Sequence, residues 1–575
     1  MTIHPSRQRR TAPRAVIFLA PLLIIGLWIA SQLSPQTTRA AGGRGVAGFV
    51  FDTQGEPVRG AEIRLMVNHA NEPVAQSLSD ETGAYLVVLP DNIEATTIQV
   101  EFERTHFESA TWEPDSSELK TLLEPGSFVT HDITLTRRVT ASFWVATGIF
   151  MLMLLLIATE RLHNTLAALL GVTAIFSISL IGGALYPELH IFDFAEALRH
   201  VDFELIFLLL GMMIVIGVIE ETGIFQWLAY QAYRLSRGKL WLLMIILMLI
   251  TAVAAALLDN VTTMLLITPI TLEIALALGV NPLTLILPAL LAANVGGSST
   301  LIGTPVNIMI GSYAKVGFND FLQNLAPGIV LALVGLAVQM IFVYRRRFRA
   351  VPARLSPALI KRLKAGAQIR DVVKLRKSGV VFAGLLSLFI FGESLHVTPA
   401  VAAIIGATVM LLWVHQDIEQ MMGVVDWTTL IFFIGLFIVV GAVQEVGLLA
   451  FIADAAQTLV SGNLLAALFI VVWATTILSG VVDNIPFAAA MLPVIRLLTR
   501  ITPGADSKVL YYALAVGASL GGSGTLIGSS SNLVVAGITE RAGYRISFRE
   551  FLKVGLPATL TTTALGCIWL LIRFW

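Results

Sequence analysis

One cysteine in 575 residues, Cys567, excludes an internal disulfide and any cysteine-built metal site. Charge is scarce too: Asp, Glu, Lys and Arg make up 13% of the chain, against about 25% in an average soluble domain. The 38 basic and 38 acidic residues cancel, so no overall basic excess attracts nucleic acid and charge must be read locally. No His-Glu-x-x-His motif and no Ser/His constellation occurs, which removes the common signatures of an enzyme. What abounds is apolar. Hydrophobic residues reach 56% and the mean hydropathy is +0.81, values of a chain that lives in lipid.

The start is basic, with Arg7, Arg9, Arg10 and Arg14 ahead of an apolar run over 15–33, long enough to cross a bilayer core. Cleavage near 38–41 would make it a signal peptide; nineteen apolar residues instead favour a signal-anchor helix within 1–42. Either way the basic end stays in the cytoplasm and the following segment is exported.

Residues 43–137 are polar and alternate in short stretches such as Ile98-Gln99-Val100-Glu101-Phe102, with turns at Asp52-Thr53-Gln54-Gly55, Asp80-Glu81-Thr82-Gly83 and Glu124-Pro125-Gly126. The pattern predicts a small antiparallel, extracytoplasmic β-sandwich of about seven strands. Gly55-Glu56-Pro57-Val58-Arg59-Gly60-Ala61 and Thr82-Gly83-Ala84-Tyr85 resemble the carboxypeptidase regulatory-like module, a likeness of turn chemistry that speaks for fold rather than activity.

From about Thr140 onward, apolar segments follow one another. The main interruption is 345–377, with eight Arg and four Lys against Asp371 alone, a cytoplasmic linker by its charge. It divides repeat 1 (138–344) from repeat 2 (378–575). Residues 294–307 superpose on 519–532 with 8 of 14 positions identical. Asp259-Asn260 matches Asp483-Asn484, each Asp followed ten residues later by a proline, Pro269 or Pro493. Asp202, Gly211, Gly217, Glu221 and Gly223 match Asp426, Gly435, Gly441, Glu445 and Gly447 at a constant offset of 224, and Glu160 and His163 match Glu393 and His396. The whole half is duplicated.

With 43–137 outside, helices near 141–158, 165–186, 203–220, 283–312 and 325–344 make five crossings. The runs 240–258 and 262–278 meet at Asp259-Asn260 as a re-entrant hairpin. An odd number of crossings turns the second half upside down, with helices near 379–392, 399–414, 428–443, 508–537 and 553–572 and an extracytoplasmic C-terminus. Arg234, Arg237, Lys239, Arg541, Arg545, Arg549 and Lys553 then fall inside, and 444–463, without Lys or Arg, falls outside. Two places run against the rule: 415–427 is inside without Lys or Arg, and Arg496 and Arg500 are outside. The expected fold is an all-α polytopic membrane protein of two inverted repeats, with re-entrant hairpins and broken helices, plus the small N-terminal β-sandwich.

Two Gly-Gly pairs at mid-span, Gly296-Gly297 and Gly521-Gly522, predict helix breaks whose carbonyls, with the hydroxyls of Thr300 and Thr525, can coordinate a cation. Close helix packing through small residues is the simpler explanation, yet it leaves unexplained why Asn307 and Asn532 recur at the same distance after the pair. A carboxylate at mid-bilayer costs about 2.5–3.5 kcal/mol and is rare without a task; here Asp259 and Asp483 form two. Asn260 and Asn484 beside them offer amide oxygens to a hard cation and amide hydrogens to an anion. Each Asp-Asn is also a good helix cap at a hairpin tip. His163 and His396, three residues after Glu160 and Glu393, read as interfacial rather than zinc-binding, and Arg345-Arg346-Arg347 as an anchor facing anionic lipid.

Leu258-Asp259-Asn260-Val261-Thr262-Thr263, the segment from Gly296 to Asn307, Asp483-Asn484-Ile485-Pro486 and Gly521-Gly522-Ser523-Gly524-Thr525-Leu526-Ile527-Gly528 resemble the ion transporter superfamily, in the melanosomal P protein, arsenite permease and sodium-proton antiporter group. The resemblance covers about residues 140–575. It implies the fold of dicarboxylate and citrate symporters, a homodimer with elevator-like motion, and a midplane site where the tip Asn and the Gly-Gly loops bind sodium and substrate. Asp259 and Asp483 stand where those symporters carry Ser, and two fixed anions repel a carboxylate substrate unless it is protonated or cation-bound.

The expected function is secondary active transport of a small ion across a plasma membrane of bacterial inner-membrane type, by alternating access coupled to H+ or Na+. Site residues are Asp259, Asn260, Thr262, Thr263, Gly296, Gly297, Thr300, Asn307, Asp483, Asn484, Gly521, Gly522, Thr525 and Asn532. No cofactor and no dedicated metal are expected; Na+ binds transiently at Asn260, Asn484 and the Gly-Gly loops. Sodium-proton exchange, export of an arsenite-type oxyanion and uptake of an organic anion all remain open. So does a membrane-anchored receptor that senses through the sandwich, although no cytoplasmic signalling domain accompanies it, and so does a passive channel.

Overall fold

The computed structural model describes residues 44–68, 72–90, 97–124, 126–159, 161–350, 368–452 and 462–575. The basic start with its apolar run, Glu160 and residues 351–367 of the linker lie outside them. The chain divides into two compact units, 1–136 and 137–575.

In the first unit β1 (Arg44–Asp52), β2 (Glu62–Val67), β3 (Ala75–Leu78), β4 (Ala84–Leu89), β5 (Ile98–Glu103), β6 (Ala110–Trp112), β7 (Phe128–Thr130) and β8 (Ile133–Leu135) form two four-stranded sheets. Alternation puts Val46 and Val50 of β1, Ile63 and Leu65 of β2, Tyr85 and Val87 of β4, and Val100 and Phe102 of β5 into one core. Tyr85 and Phe102 meet edge to face at 5.4 Å. The Asp80 turn forms as its sequence predicts: Asp80 Oδ1 accepts from Thr82 N (2.8 Å) and Ala84 N (3.0 Å), and Gly83 takes φ +78°. The sheets are not purely antiparallel. β7 and β8 run parallel to β1, because helix α1 (Ser116–Leu123), capped by Asp115, carries the chain over before it returns.

The second unit is helical. Its helices are α2 (Ala141–Ala158), α3 (Asn164–Phe176), α4 (Phe203–Glu220), α5 (Ile224–Ser236), α6 (Leu240–Leu257), α7 (Asn260–Ala277), α8 (Leu283–Gly297), α9 (Pro305–Ala314), α10 (Phe318–Asn324) and α11 (Ala326–Tyr344). The second half follows with α12 (Val372–Phe391), α13 (Pro399–Val414), α14 (Ile418–Val424), α15 (Trp427–Glu445), α16 (Leu464–Ser479), α17 (Asn484–Ile501), α18 (Val509–Gly521), α19 (Ser530–Arg541) and α20 (Phe548–Phe574). Ten helices among the described residues are long and apolar enough to cross a membrane.

The repeat decides the packing. α3 lies on α15 of the other half, while α13, the counterpart of α3, lies on α4, the counterpart of α15. α6 packs on α8 as α16 packs on α18, α7 on α19 as α9 on α17, and α11 pairs with its own counterpart α20. Such reciprocity is what a twofold relation between the halves produces, and with the inverted order of spans it is the inverted-repeat architecture expected. The matched acids are structural: Asp202 caps α4 through Leu205 N (3.0 Å) and Asp426 caps α15 through Thr429 N (3.1 Å). Glu221, at the end of α4, is ion-paired to Lys374 and accepts from Gln416 Nε2 (2.7 Å) and Gln420 Nε2 (2.9 Å). Reciprocal latches join the start of each half to the other: Arg370 N donates to Thr222 O (2.9 Å) and Arg137 Nη1 to Glu445 O (3.2 Å).

Candidate functional site

Two hairpins, α6–α7 and α16–α17, place Asp259-Asn260 and Asp483-Asn484 at their tips. Each tip lies beside the break of a broken helix, α8–α9 or α18–α19. Thr300 Oγ1 donates to Ala256 O at the first tip, and Thr525 Oγ1 donates to Gly480 O (2.5 Å) at the second. At about 1.5 Å per residue the fifteen residues of α8 reach roughly 22 Å before the break, so tip and break lie within the hydrocarbon core rather than at its surface.

The helices break at the glycine pairs, as expected, and the geometry adds why glycine stands there. The first helix runs on through Gly297 and the second through Gly521, and the unwound stretches are 298–304, just after the first pair, and 522–529, beginning at the second glycine of the second pair. A Cβ on Gly296 would stand 2.4 Å from Ala252 O, and one on Gly521 2.5 Å from Thr476 O. A Cβ on Gly297 would stand 2.7 Å from Gly303 O, and one on Gly522 2.6 Å from Gly528 O. The first glycine of each pair admits the hairpin arm; the second lets the loop close on itself. Close packing, the simpler explanation, accounts for the pairs, and the break follows from what they leave room for.

At the first tip Asp259 is half-buried and accepts from Thr262 N (2.9 Å). Thr262 is half-buried, whereas Thr263 is fully buried and its hydroxyl has no hydrogen-bond partner among the described residues. At the second tip Asp483 is buried and accepts from Ile485 N (3.2 Å) and Ser530 Oγ (3.1 Å). Both aspartates therefore cap a helix, and the second oxygen of Asp483, Oδ2, is the one that takes the Ser530 hydroxyl.

Asn307 and Asn532 hold the loops. Asn307 Nδ2 donates to Ser298 O (3.2 Å) and Thr300 O (2.8 Å), and Asn532 Nδ2 to Gly522 O (2.9 Å) and Thr525 O (2.9 Å). Their recurrence seven residues after the threonine is explained by this staple, which satisfies carbonyls that the break frees.

One residue with three hydrogen bonds at the site is absent from the expected set. Asn294, two residues before the first glycine pair, accepts from Asn260 Nδ2 (3.0 Å) and Ser531 Oγ (2.7 Å) and donates to Asn532 Oδ1 (3.0 Å). Its counterpart Ser519 makes one long contact, to Asn307 Oδ1 at 3.4 Å. The site is thus twofold in backbone and unequal in side chains. Asn484 is buried at the second tip. The signal for Asn294 was an amide inside an otherwise apolar helix, at the first position of the repeated motif. Ser530 and Ser531, on the first turn of α19, gave no such signal.

Other expectations resolve plainly. His163 caps α3, its Nδ1 accepting from Thr165 N (3.3 Å). Arg347 donates to Thr284 Oγ1 (3.1 Å) and lies over the Tyr344 ring. Glu393 and His396 are exposed and border a cleft beside the first broken helix.

Opposed hairpins meeting two broken helices around polar groups within the hydrocarbon core define a multi-pass membrane transporter. Residues 154–517 match the family model described as a citrate transporter, and the chain belongs to that family. An uncharacterized transporter of Mycobacterium tuberculosis is 37% identical over 432 residues, 75% of this chain and 98% of that protein. The P protein of Homo sapiens is 33% identical over 505 residues, 74% of this chain and 59% of its own length. Among solved structures the Alcanivorax borkumensis YdaH transporter, described as having an unusual topology, aligns with a TM-score of 0.50 at 15% identity, over 72% of this chain and 98% of its own. At that identity the likeness is one of fold. The protein is a transporter, not an enzyme.

Proposed function

We propose that the protein is a cation-coupled secondary carrier of a small ion. In this reading Asp259 and Asp483 take up and release the coupling cation, H+ or Na+, as the two hairpins alternately face either side of the membrane. The observation that carries it is the pair of carboxylates at twofold-related tips, each latched by a threonine to a broken-helix loop. Carboxylates at this depth are costly without an ion to bind. Thr262, Thr263, the carbonyls near Gly296, Gly297, Gly521 and Gly522, and the amides of Asn260 and Asn484 complete the two half-sites in this assignment. Asn307 and Asn532 shape them. Exchange of Na+ for H+ suits two fixed carboxylates directly. An organic anion such as citrate, or an oxyanion, fits only with the cation between it and the aspartates.

The same reading places residues 1–42 as a membrane anchor, 43–137 and the C-terminus outside and the 345–377 linker inside, with the carrier as a homodimer. The test is purified protein in liposomes with an internal pH-sensitive dye, challenged with sodium, lithium, citrate and arsenite gradients. A cation-driven proton flux lost in Asp259→Asn and in Asp483→Asn supports the assignment. Normal flux in the doubly substituted protein refutes it.

A further inference from the structure

Beside the first broken helix, a cleft of about 670 Å³ opens between α4, α9, α10, α12 and α13, within the usual size of small-molecule sites. Its interior is apolar, with Leu208, Leu301, Ile308 and Phe389 on the walls and floor. Its mouth is charged: Glu204 and Glu393 stand with Lys315 and His396.

The cleft runs from the first turn of α4, at Glu204, to Leu301 of the broken helix. Glu204 is the second residue of α4, whose eighteen residues span about 27 Å, close to the hydrocarbon thickness, so the mouth lies at headgroup level. Leu301 belongs to the broken loop 298–304. The space therefore extends from the headgroups into the hydrocarbon core, the reach of an acyl chain. One wall is fixed by the Phe318–Phe389 ring stack at 5.7 Å and by Asn319 Nδ2 donating to Ile390 O. Glu393 rests on Gly317, where a Cβ would stand 2.9 Å from Glu393 Oε2. Any side chain at Gly311 would drive Leu301 from its place, since a Cβ there falls 2.2 Å from Leu301 Cδ1.

We propose that this cleft binds a zwitterionic phospholipid with a primary ammonium head. One acyl chain fills the apolar interior, the ammonium donates to Glu204 and Glu393, and the phosphate accepts from Lys315 and His396. The charge pattern selects this occupant. An anionic head meets two carboxylates, and a choline head has no N–H to give them. The lipid sits between α9, the second half of a broken helix, and α4 and α13 of the surrounding layer, and so braces one against the other.

The probe is a thiol at Ser312→Cys, on the cleft wall; the native Cys567 is buried. The full-length protein is reconstituted in phosphatidylcholine alone or with phosphatidylethanolamine or phosphatidylglycerol, and maleimide labelling is timed. With phosphatidylethanolamine at ten times its dissociation constant, labelling slows about tenfold by mass action; the other two mixtures leave it fast. Glu204→Gln with Glu393→Gln removes the protection, and Leu208→Trp, which fills the cleft, slows labelling in every lipid. Native mass spectrometry of the unsubstituted protein detects retained phosphatidylethanolamine in preference to phosphatidylglycerol. Equal labelling in all three membranes, equal protection by phosphatidylglycerol, or protection that survives the double glutamine substitution overturns the proposal.

Discussion

Replacing Asn294 by alanine separates the two halves of the site more sharply than any other single change. The substitution deletes three hydrogen bonds and takes their Asn294 partner from Asn260 Nδ2 and Asn532 Oδ1, both on buried residues, while Ser531 keeps Ser529 Oγ at 3.0 Å. Buried side-chain bonds in a membrane protein average about 0.6 kcal/mol each, so three give about 2 kcal/mol as a floor. Leaving the partners unsatisfied adds to this, at about 1–3 kcal/mol per group. Ser519→Ala, at the twofold-related position, deletes one contact of 3.4 Å and costs at most about 0.6 kcal/mol. The assay is thermal unfolding in detergent, followed by tryptophan fluorescence at one heating rate, because large membrane proteins unfold irreversibly. Asn294→Ala lowers the midpoint at least three times as far as Ser519→Ala. Equal losses refute the claim that Asn294 carries more of the polar contact at the site than Ser519 does.

Two further predictions concern other parts of the chain. Gly296→Ala and Gly521→Ala force the hairpin arm away by carrying a Cβ to within 2.5 Å of a carbonyl oxygen, an overpacking worth about 1–3 kcal/mol each. Both lower the folded yield in size-exclusion chromatography, whereas Gly379→Ala, with nothing within 4 Å of its Cβ, does not. In the sandwich, burial holds the His131 imidazole below its ordinary range where it stacks on Trp112 at 4.3 Å. The unfolded chain then binds the proton more readily, so His131 contributes stability that is present above the unfolded value near pH 6.5 and is lost as pH falls below it. Hydrogen exchange in the sandwich strands is accordingly faster at pH 5.5 than at pH 7.5 after correction for intrinsic rates; unchanged protection counts against the stacked, neutral ring.

The residues that the sequence revealed are those whose meaning is local or repeated. Apolar runs declare spans because lipid leaves backbone groups no partner outside a helix. The duplication of Asp-Asn and of the glycine motifs marked the hairpin tips and the broken helices, since repetition at constant spacing needs no knowledge of contacts. Asp202 and Asp426, matched at the same offset, proved to be helix caps, a role readable from position alone.

Only the tertiary structure decided what touches what. It assigned the glycine pairs to close backbone approach, put β7 and β8 parallel to β1, turned Asn307 and Asn532 into loop staples, and singled out Asn294 through partners 34, 237 and 238 residues away. A contact across such a distance is set by how helices cross and by which atoms a fold brings within 3 Å, and no periodicity in the chain encodes it. The difference between Asn294 and Ser519 is plain in the letters, but that one makes three hydrogen bonds, two of them across the halves, while the other makes a single long one follows only from the geometry around them.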